Sequence, residues 1–417
     1  MKRILTLLTL LMAAIACTSG DTDTTPHNRF VRVEGTDLIT ADGEKLFIRG
    51  TNLGNWLNPE GYMFGFDRVN SAHLIDEMLR EAIGPAATDA FWTTFKDNYI
   101  TEADIAFIAS TGANTIRLPF HYKLFTDEDY MGRTASQDGF ERIDSVVEWC
   151  RKYGMYVILD MHDAPGGQTG DNIDDSYGYP WLLECATSQR LYADIWRSIA
   201  HRYKDEPVIL GYDLLNEPIA PYFGEDVALL NSKLKALYRM GFDAIREVDK
   251  HHIVILGGAQ WNSNFEPLED CNFDEQVIYS CHRYGGDPTP EAIASFIEFR
   301  DRVNRPMYMG EIGHNTYEWM ASFCQTMRQN NIGYTFWPYK KIGRSSWVGF
   351  AEPENWESVK SFAQNERSSY QQIREAREAA GGQETLRTAI EALGEAIRFE
   401  NCTVDYNYIR ALGLNAE

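Results

Sequence analysis

Two glutamates each follow an apolar run: Glu217 in Leu215-Asn216-Glu217-Pro218 and Glu311 in Met309-Gly310-Glu311-Ile312-Gly313. Hydrolysis of a glycosidic bond needs such a pair. One carboxyl keeps its proton near neutral pH and protonates the leaving oxygen; the other stays ionised and attacks. A separation of roughly 5–5.5 Å permits direct attack with retention, and roughly 6.5–9.5 Å admits a water and inverts. Other apolar runs end in suitable partners. Arg117 can keep Glu311 ionised through a charge-assisted hydrogen bond, and Tyr284 can donate to the same carboxylate. Asn216 can hold a sugar 2-hydroxyl, a bond that tightens in the transition state. His162 reads equally as a sugar contact or as a buried histidine bridging strands. His282 and Trp337 also close such runs, and Trp56 and Trp261 lie near others, where an indole face can stack on a sugar ring. One polar residue after a strand is a solvated loop residue; this many, at the ends of seven strands out of eight, is a site.

These residues need a scaffold that gathers strand ends. The runs Leu46–Asn52, Asn114–Leu118, Tyr156–Asp160, Val208–Leu215, Ile253–Gly257, Val277–His282, Met307–Glu311 and Gly333–Trp337 read as strands. Helical patterns alternate with them: Thr101–Ser110 behind a Thr-x-x-Asp cap, Phe140–Tyr153, Ser188–Tyr203, Asp226–Val248, Glu291–Val303 and Tyr317–Asn331. The fifth connection is short and weakly helical. Eight such units predict an α/β fold, a (β/α)8 TIM barrel, with its site at the C-terminal ends of the strands. A doubly wound sheet is the alternative, but no Gly-rich phosphate loop follows any strand. Residues 30–48 alternate around an Asp42-Gly43 turn and predict a β-hairpin in front of the barrel. Long insertions, 53–99 and 163–184, fall on the site's face. The boundaries expected are a leader over 1–16, a tether over 17–27, the barrel over 28–364 and a helical extension packed on it over 365–417. In that extension Leu386, Ile390, Leu393 and Ile397 mark an amphipathic helix.

The chain has 417 residues, 44% of them hydrophobic, which excludes a disordered or fibrous protein. Its net charge of −22 would repel phosphate backbones, so nucleic acid is not an expected partner. Lys2 and Arg3 precede a twelve-residue apolar run, Ile4 to Ile15, too short to span a bilayer. The Ala14-Ile15-Ala16-Cys17 string that follows resembles a bacterial lipoprotein signal, in which Cys17 would be lipidated. The expectation is an exported cell-envelope lipoprotein, touching the membrane only through this anchor and monomeric. Ordinary secretion is the alternative. The other six cysteines match no zinc module, and their pairing stays open between thiols and disulfides. The acidic string 171–175 lacks the spacing of a calcium loop. No metal or cofactor is expected.

The strings Ile48-Arg49-Gly50-Thr51-Asn52-Leu53-Gly54, Asn114-Thr115-Ile116-Arg117-Leu118-Pro119, Leu159-Asp160-Met161-His162, Leu215-Asn216-Glu217-Pro218, Cys281-His282-Arg283-Tyr284, Met309-Gly310-Glu311-Ile312-Gly313 and Phe336-Trp337 resemble, in order, those of glycoside hydrolase family 5. That family of retaining barrel enzymes includes cellulases, mannanases and exo-1,3-glucanases. The resemblance spans residues 30–362. It implies Glu217 as acid/base and Glu311 as nucleophile, with Arg117, His162, Asn216, His282, Tyr284 and Trp337 around them. Asn55-Trp56-Leu57-Asn58-Pro59-Glu60 and the 164–172 loop resemble the exo-1,3-glucanase branch, where the counterparts of Glu60 and Asp171-Asn172 close the pocket on a terminal glucose. The implied substrate is a β-linked glucan or its oligosaccharides. A β-mannanase is the alternative within the family. A non-catalytic glycan-binding lipoprotein is the alternative outside it, and would be expected to have lost one carboxylate; both are present.

Overall fold

The computed structural model describes residues 29–133, 135 and 137–415. The expected leader, Cys17 and tether lie outside them. Eight parallel strands close in chain order into a barrel, the eighth pairing with the first. They are Arg49–Asn52, Thr115–His121, Tyr156–Asp163, Ile209–Asp213, Ile253–Gly257, Val277–His282, Met307–Gly313 and Gly333–Trp337. Every run read as a strand contributes one. The first is shorter than expected, because Lys45–Leu46 pairs elsewhere.

The helices follow from their apolar stripes and caps. Glu102–Ser110 starts in the expected capping box, with the Thr101 backbone N–H donating to the Asp104 carboxylate at 2.8 Å. Asp226–Val248 buries Leu230, Leu234, Leu237, Phe242 and Ile245. After the fifth strand there is only a turn, Ala259–Asn262, in which Gln260 and Trp261 adopt left-handed backbone.

The expected N-terminal hairpin is a three-stranded antiparallel sheet: Arg32–Glu34, Asp37–Ile39 and Lys45–Leu46. It forms the barrel floor. Its Val31, Leu38 and Leu46 pack with Ile158, Leu210, Ile253 and Ile278 in a cluster separate from the main core. Phe30 stacks on His251, just ahead of the fifth strand.

The first insertion carries two helices, Ala72–Ile83 and Pro85–Tyr99. The C-terminal helix Gln383–Ala396 buries Leu386, Ile390 and Leu393. It packs on this insertion rather than on the strands: the Asn98 amide donates to the Gly394 carbonyl at 2.7 Å. Just beyond the eighth strand, fully buried Lys340 forms an ion pair with Asp104 at 2.6 Å and donates to the Tyr99 and Ile397 carbonyls. The tail thereby braces the insertion that carries Glu60. All six cysteines among the described residues are thiols.

Candidate active site

A cavity of about 330 Å³ opens at the C-terminal end of the barrel, lined by Glu60, Tyr62, His162, Ile173, Asn216, Glu217, Tyr284, Glu311, His314 and Trp337. Seven strand ends and both insertions were expected to converge at such a face. Glu217 follows the fourth strand with φ 44°, a left-handed conformation that glutamate adopts only under constraint. The constraint is visible: the Thr169 hydroxyl donates to the Glu217 carbonyl at 2.7 Å, and the Ile219 N–H donates to the Gln168 carbonyl. Glu311 lies within the seventh strand, at a register shift between Met309 and Glu311 that turns its side chain toward the mouth.

The two carboxylates have different surroundings. Glu311 accepts from Arg117 Nη1 at 2.8 Å and from the Tyr284 hydroxyl, so each of its oxygens has a donor. Glu217 meets a single side chain, His282, through Nδ1 at 2.7 Å. Burial raises its pKa to about 7, more than His162 and Arg117 offset. Burial depresses His282 and His162 to about 3, so both rings are neutral. His282 Nε2 has no partner, so its proton belongs on Nδ1, facing Glu217. Glu60 is buried, and desolvation together with Glu311 and Glu217 holds its pKa well above the usual range.

One oxygen of Glu217, one of Glu311 and a nitrogen of His282 lie within 4.8 Å of one another. Among the described residues this is the one histidine–carboxylate group compact enough to hold a metal. Its atoms are already engaged by Arg117, Tyr284 and one another.

Arg117 is fully buried and organises the site. Beyond Glu311 it donates to Asn52 at 3.1 Å and to Asn216 at 2.9 Å. Asn216 in turn donates to His162 Nε2 at 3.2 Å, while His162 Nδ1 meets Asp160 at 2.8 Å. His162 thus bridges the ends of the third and fourth strands and also lines the cavity. Its ring stacks on Trp337 at 5.0 Å with the planes 3° apart. The Trp337 indole N–H donates to the Tyr62 hydroxyl at 2.8 Å. Two glycines make room. A Cβ on Gly54 would stand 2.8 Å from the Trp337 ring, and one on Gly310 would stand 2.8 Å from His282 Nε2.

Two expected sugar contacts are not in the cavity. Trp56 is 1% exposed, its ring packed in the core and its N–H donated to the Lys96 carbonyl at 2.8 Å. The insertion folds back over it, so proximity to a strand end did not bring exposure. Trp261 is 36% exposed beside Tyr222, with ring centroids 5.9 Å apart. It stands outside the cavity on the left-handed turn. Of the loop expected to close the pocket, Ile173 reaches the cavity, while Asn172 donates to the Asn70 carbonyl. Sequence reasoning missed Tyr62, Ile173 and His314. His314 follows Glu311 by three residues, so the same strand-end rule could have found it; Tyr62 gave no such sign.

The cellulase family model, glycosyl hydrolase family 5, matches residues 80–342. The chain belongs to glycosyl hydrolase family 5. This family 5 chain is 34% identical over 350 residues to a β-xylosidase of Phanerodontia chrysosporium, across 75% of itself and 71% of the relative. It is 32% identical to endoglucanase C of Acetivibrio thermocellus across 58% of itself, and that match spans 64% of the relative's length. Among solved structures, the family 5 barrel superposes on the rutinosidase from Aspergillus niger with a TM-score of 0.55 at 18% identity, over 71% of this chain and 90% of the other. It superposes on a β-glucanase from Saccharophagus degradans with a TM-score of 0.52 at 18% identity, over 88% and 94%. These two likenesses concern the fold.

Proposed function

We propose that this chain is a retaining glycoside hydrolase that cleaves β-glucosidic linkages in β-glucans or their oligosaccharides by double displacement. One observation carries the reading: Glu217 and Glu311 approach within 4.8 Å, with burial raising the pKa of Glu217 while Arg117 and Tyr284 each donate to an oxygen of Glu311. That spacing suits direct attack rather than attack through an interposed water. Glu311, fixed by Arg117 and Tyr284, is the nucleophile. Glu217 accepts from His282 on Oε1 and carries its acid proton on Oε2, ready for the leaving oxygen. In the second displacement the same group, now ionised, takes a proton from water. Asn216 retains one amide N–H for the sugar 2-hydroxyl. Glu60 and Ile173 wall the pocket around a terminal glucosyl unit, and exposed Trp261 with Tyr222 offers a platform for the leaving part of the chain.

The β-xylosidase likeness favours a second reading, β-xylosides, which differ from glucosides in lacking the C6 hydroxymethyl group. Matched aryl β-glucoside, β-xyloside and β-mannoside, followed by laminarin, lichenan, cellulose and mannan, separate the sugars. NMR of the first-formed anomer tests retention. Glu311→Ala should lower turnover by several decades. Azide should restore it as the α-glycosyl azide; the Glu217→Ala enzyme should give the β-azide. Wild-type binding of these glycans without any turnover would refute the proposal and favour the non-catalytic alternative. The Cys17 string supports an envelope lipoprotein, which metabolic labelling with palmitate, lost in Cys17→Ala, would test.

A further inference from the structure

Below the carboxylates the barrel interior is charged where branched aliphatics usually pack. Asp160 on the third strand and Asp213 on the fourth are register partners on adjacent parallel strands. Both are fully buried. Both lie on the same guanidinium: Arg117 Nη2 is 3.0 Å from Asp160 Oδ1, and Arg117 Nε is 3.0 Å from Asp213 Oδ2. With Glu311, one arginine therefore faces three carboxylates. The outer oxygens are satisfied: Asp160 Oδ2 meets His162 Nδ1 at 2.8 Å, and Asp213 Oδ2 accepts from the Tyr308 hydroxyl at 3.2 Å. The remaining two are not. Asp213 Oδ1 has no hydrogen-bond partner, and Asp160 Oδ1, though close to Arg117, lacks the alignment for a hydrogen bond.

Two ionised carboxylates opposite each other in a dry interior, each with an unpartnered oxygen, would leave two negative charges uncompensated around Arg117 once Glu311 is counted. We propose that Asp160 and Asp213 share one retained proton, so that the pair carries a single negative charge and acts as a positioning group that fixes Arg117 against Glu311. On this proposal the proton is held between the two otherwise unpartnered Oδ1 atoms, one donating it and the other accepting. The other titratable groups facing the pair are His162, Asp163, Tyr238, Tyr308, Glu217 and, across Arg117, Glu311. Burial raises the pKa of both aspartates well above the usual range despite Arg117, in the direction the shared proton requires. The pair matters to chemistry because net charge around Arg117 sets how firmly the guanidinium holds the nucleophile. This inference rests on the assignment of Glu311 as nucleophile only for its catalytic consequence; the proton itself is independent of it.

Infrared difference spectroscopy at pH 7 tests the proton, using the protonated-carboxyl carbonyl stretch and the full chain in a Glu217→Gln background that removes that residue's own band. Asp160→Asn and Asp213→Asn should each abolish one and the same band, and the double variant should lose no more. With one aspartate gone, the other ionises against Arg117. Bands common to all of these forms belong to other buried carboxyls such as Glu60 and Asp163; a band kept in each single variant but lost in the double variant would show two separately protonated carboxylates and overturn the proposal. With Glu217 restored, the acid limb of kcat/KM reports the consequence. Each single replacement keeps the net charge and should leave that limb in place. The double variant leaves Arg117 to Glu311 alone and should move the limb to lower pH by about one unit or more. A limb displaced as far by one replacement as by two would refute charge sharing. An inactive wild type would instead refute the proposed hydrolysis, with the infrared result still standing.

Discussion

Glu217→Gln isolates the contribution of the raised acid. An ordinary glutamate, with a pKa of 4.5, would hold its proton in roughly one molecule in three hundred at pH 7. Held at about 7, Glu217 holds it in about half. Burial therefore raises the working fraction of acid by roughly 150-fold at neutral pH, close to 3 kcal/mol. Glutamine keeps the shape and the contact with His282 but has no proton to give. On a β-glucoside with a poor leaving group, kcat/KM should fall by about 10²–10⁴-fold. On a 2,4-dinitrophenyl glycoside, whose leaving oxygen needs no proton, the loss in the glycosylation step should be far smaller. In the wild type, kcat/KM on the poor substrate should decline as pH rises through about 7, and in the variant that basic limb should vanish. Stopped-flow measurement of both substrates across pH provides the test. An unchanged basic limb in Glu217→Gln, or equal losses on the two leaving groups, would refute Glu217 as the proton donor.

Three further outcomes follow from geometry. Gly54→Ala should displace Trp337, costing about 1–3 kcal/mol in thermal unfolding and raising KM, because the added methyl meets the indole at 2.8 Å. Asp104→Asn removes the counter-ion of fully buried Lys340 and should destabilise by about 3–5 kcal/mol in urea titrations, whereas the Asp104→Asn, Lys340→Met pair should recover much of the loss. His73 Nδ1 meets Asp175 at 2.6 Å, and that bond raises the histidine's pKa above 6.5. The stabilisation is fully present below pH 6.5 and is lost as pH rises through the folded value. Once corrected for intrinsic rate, amide exchange in residues 170–176 should therefore accelerate on going from pH 6 to 8, and His73→Gln should remove that acceleration, leaving only the opposite trend of His121, whose pKa burial lowers beside the same Asp175.

The barrel was legible because each strand is a short apolar run, and the polar residues at the ends of most of them also marked Arg117, His162, Glu217 and Glu311. What escaped depended on packing that periodicity does not encode. Trp56 sits in the insertion that folds back onto the barrel, and its exposure was set by the helices above it. Asp160 and Asp213 were hidden inside the strands, because one charge among Leu159, Met161, Tyr212 and Leu214 does not say which way it faces. The tail's amphipathic helix was readable, but its partner, the first insertion, lies some 300 residues earlier in the chain.

The small antiparallel sheet that closes the barrel has one more implication. Arg29 and Phe30 enter beside Asp205 and His251, at the end of the molecule away from the cavity. A leash attached there would point the catalytic mouth outward, away from whatever surface it is fixed to. The end of a glycan chain could then reach the opening without first passing between the molecule and that surface.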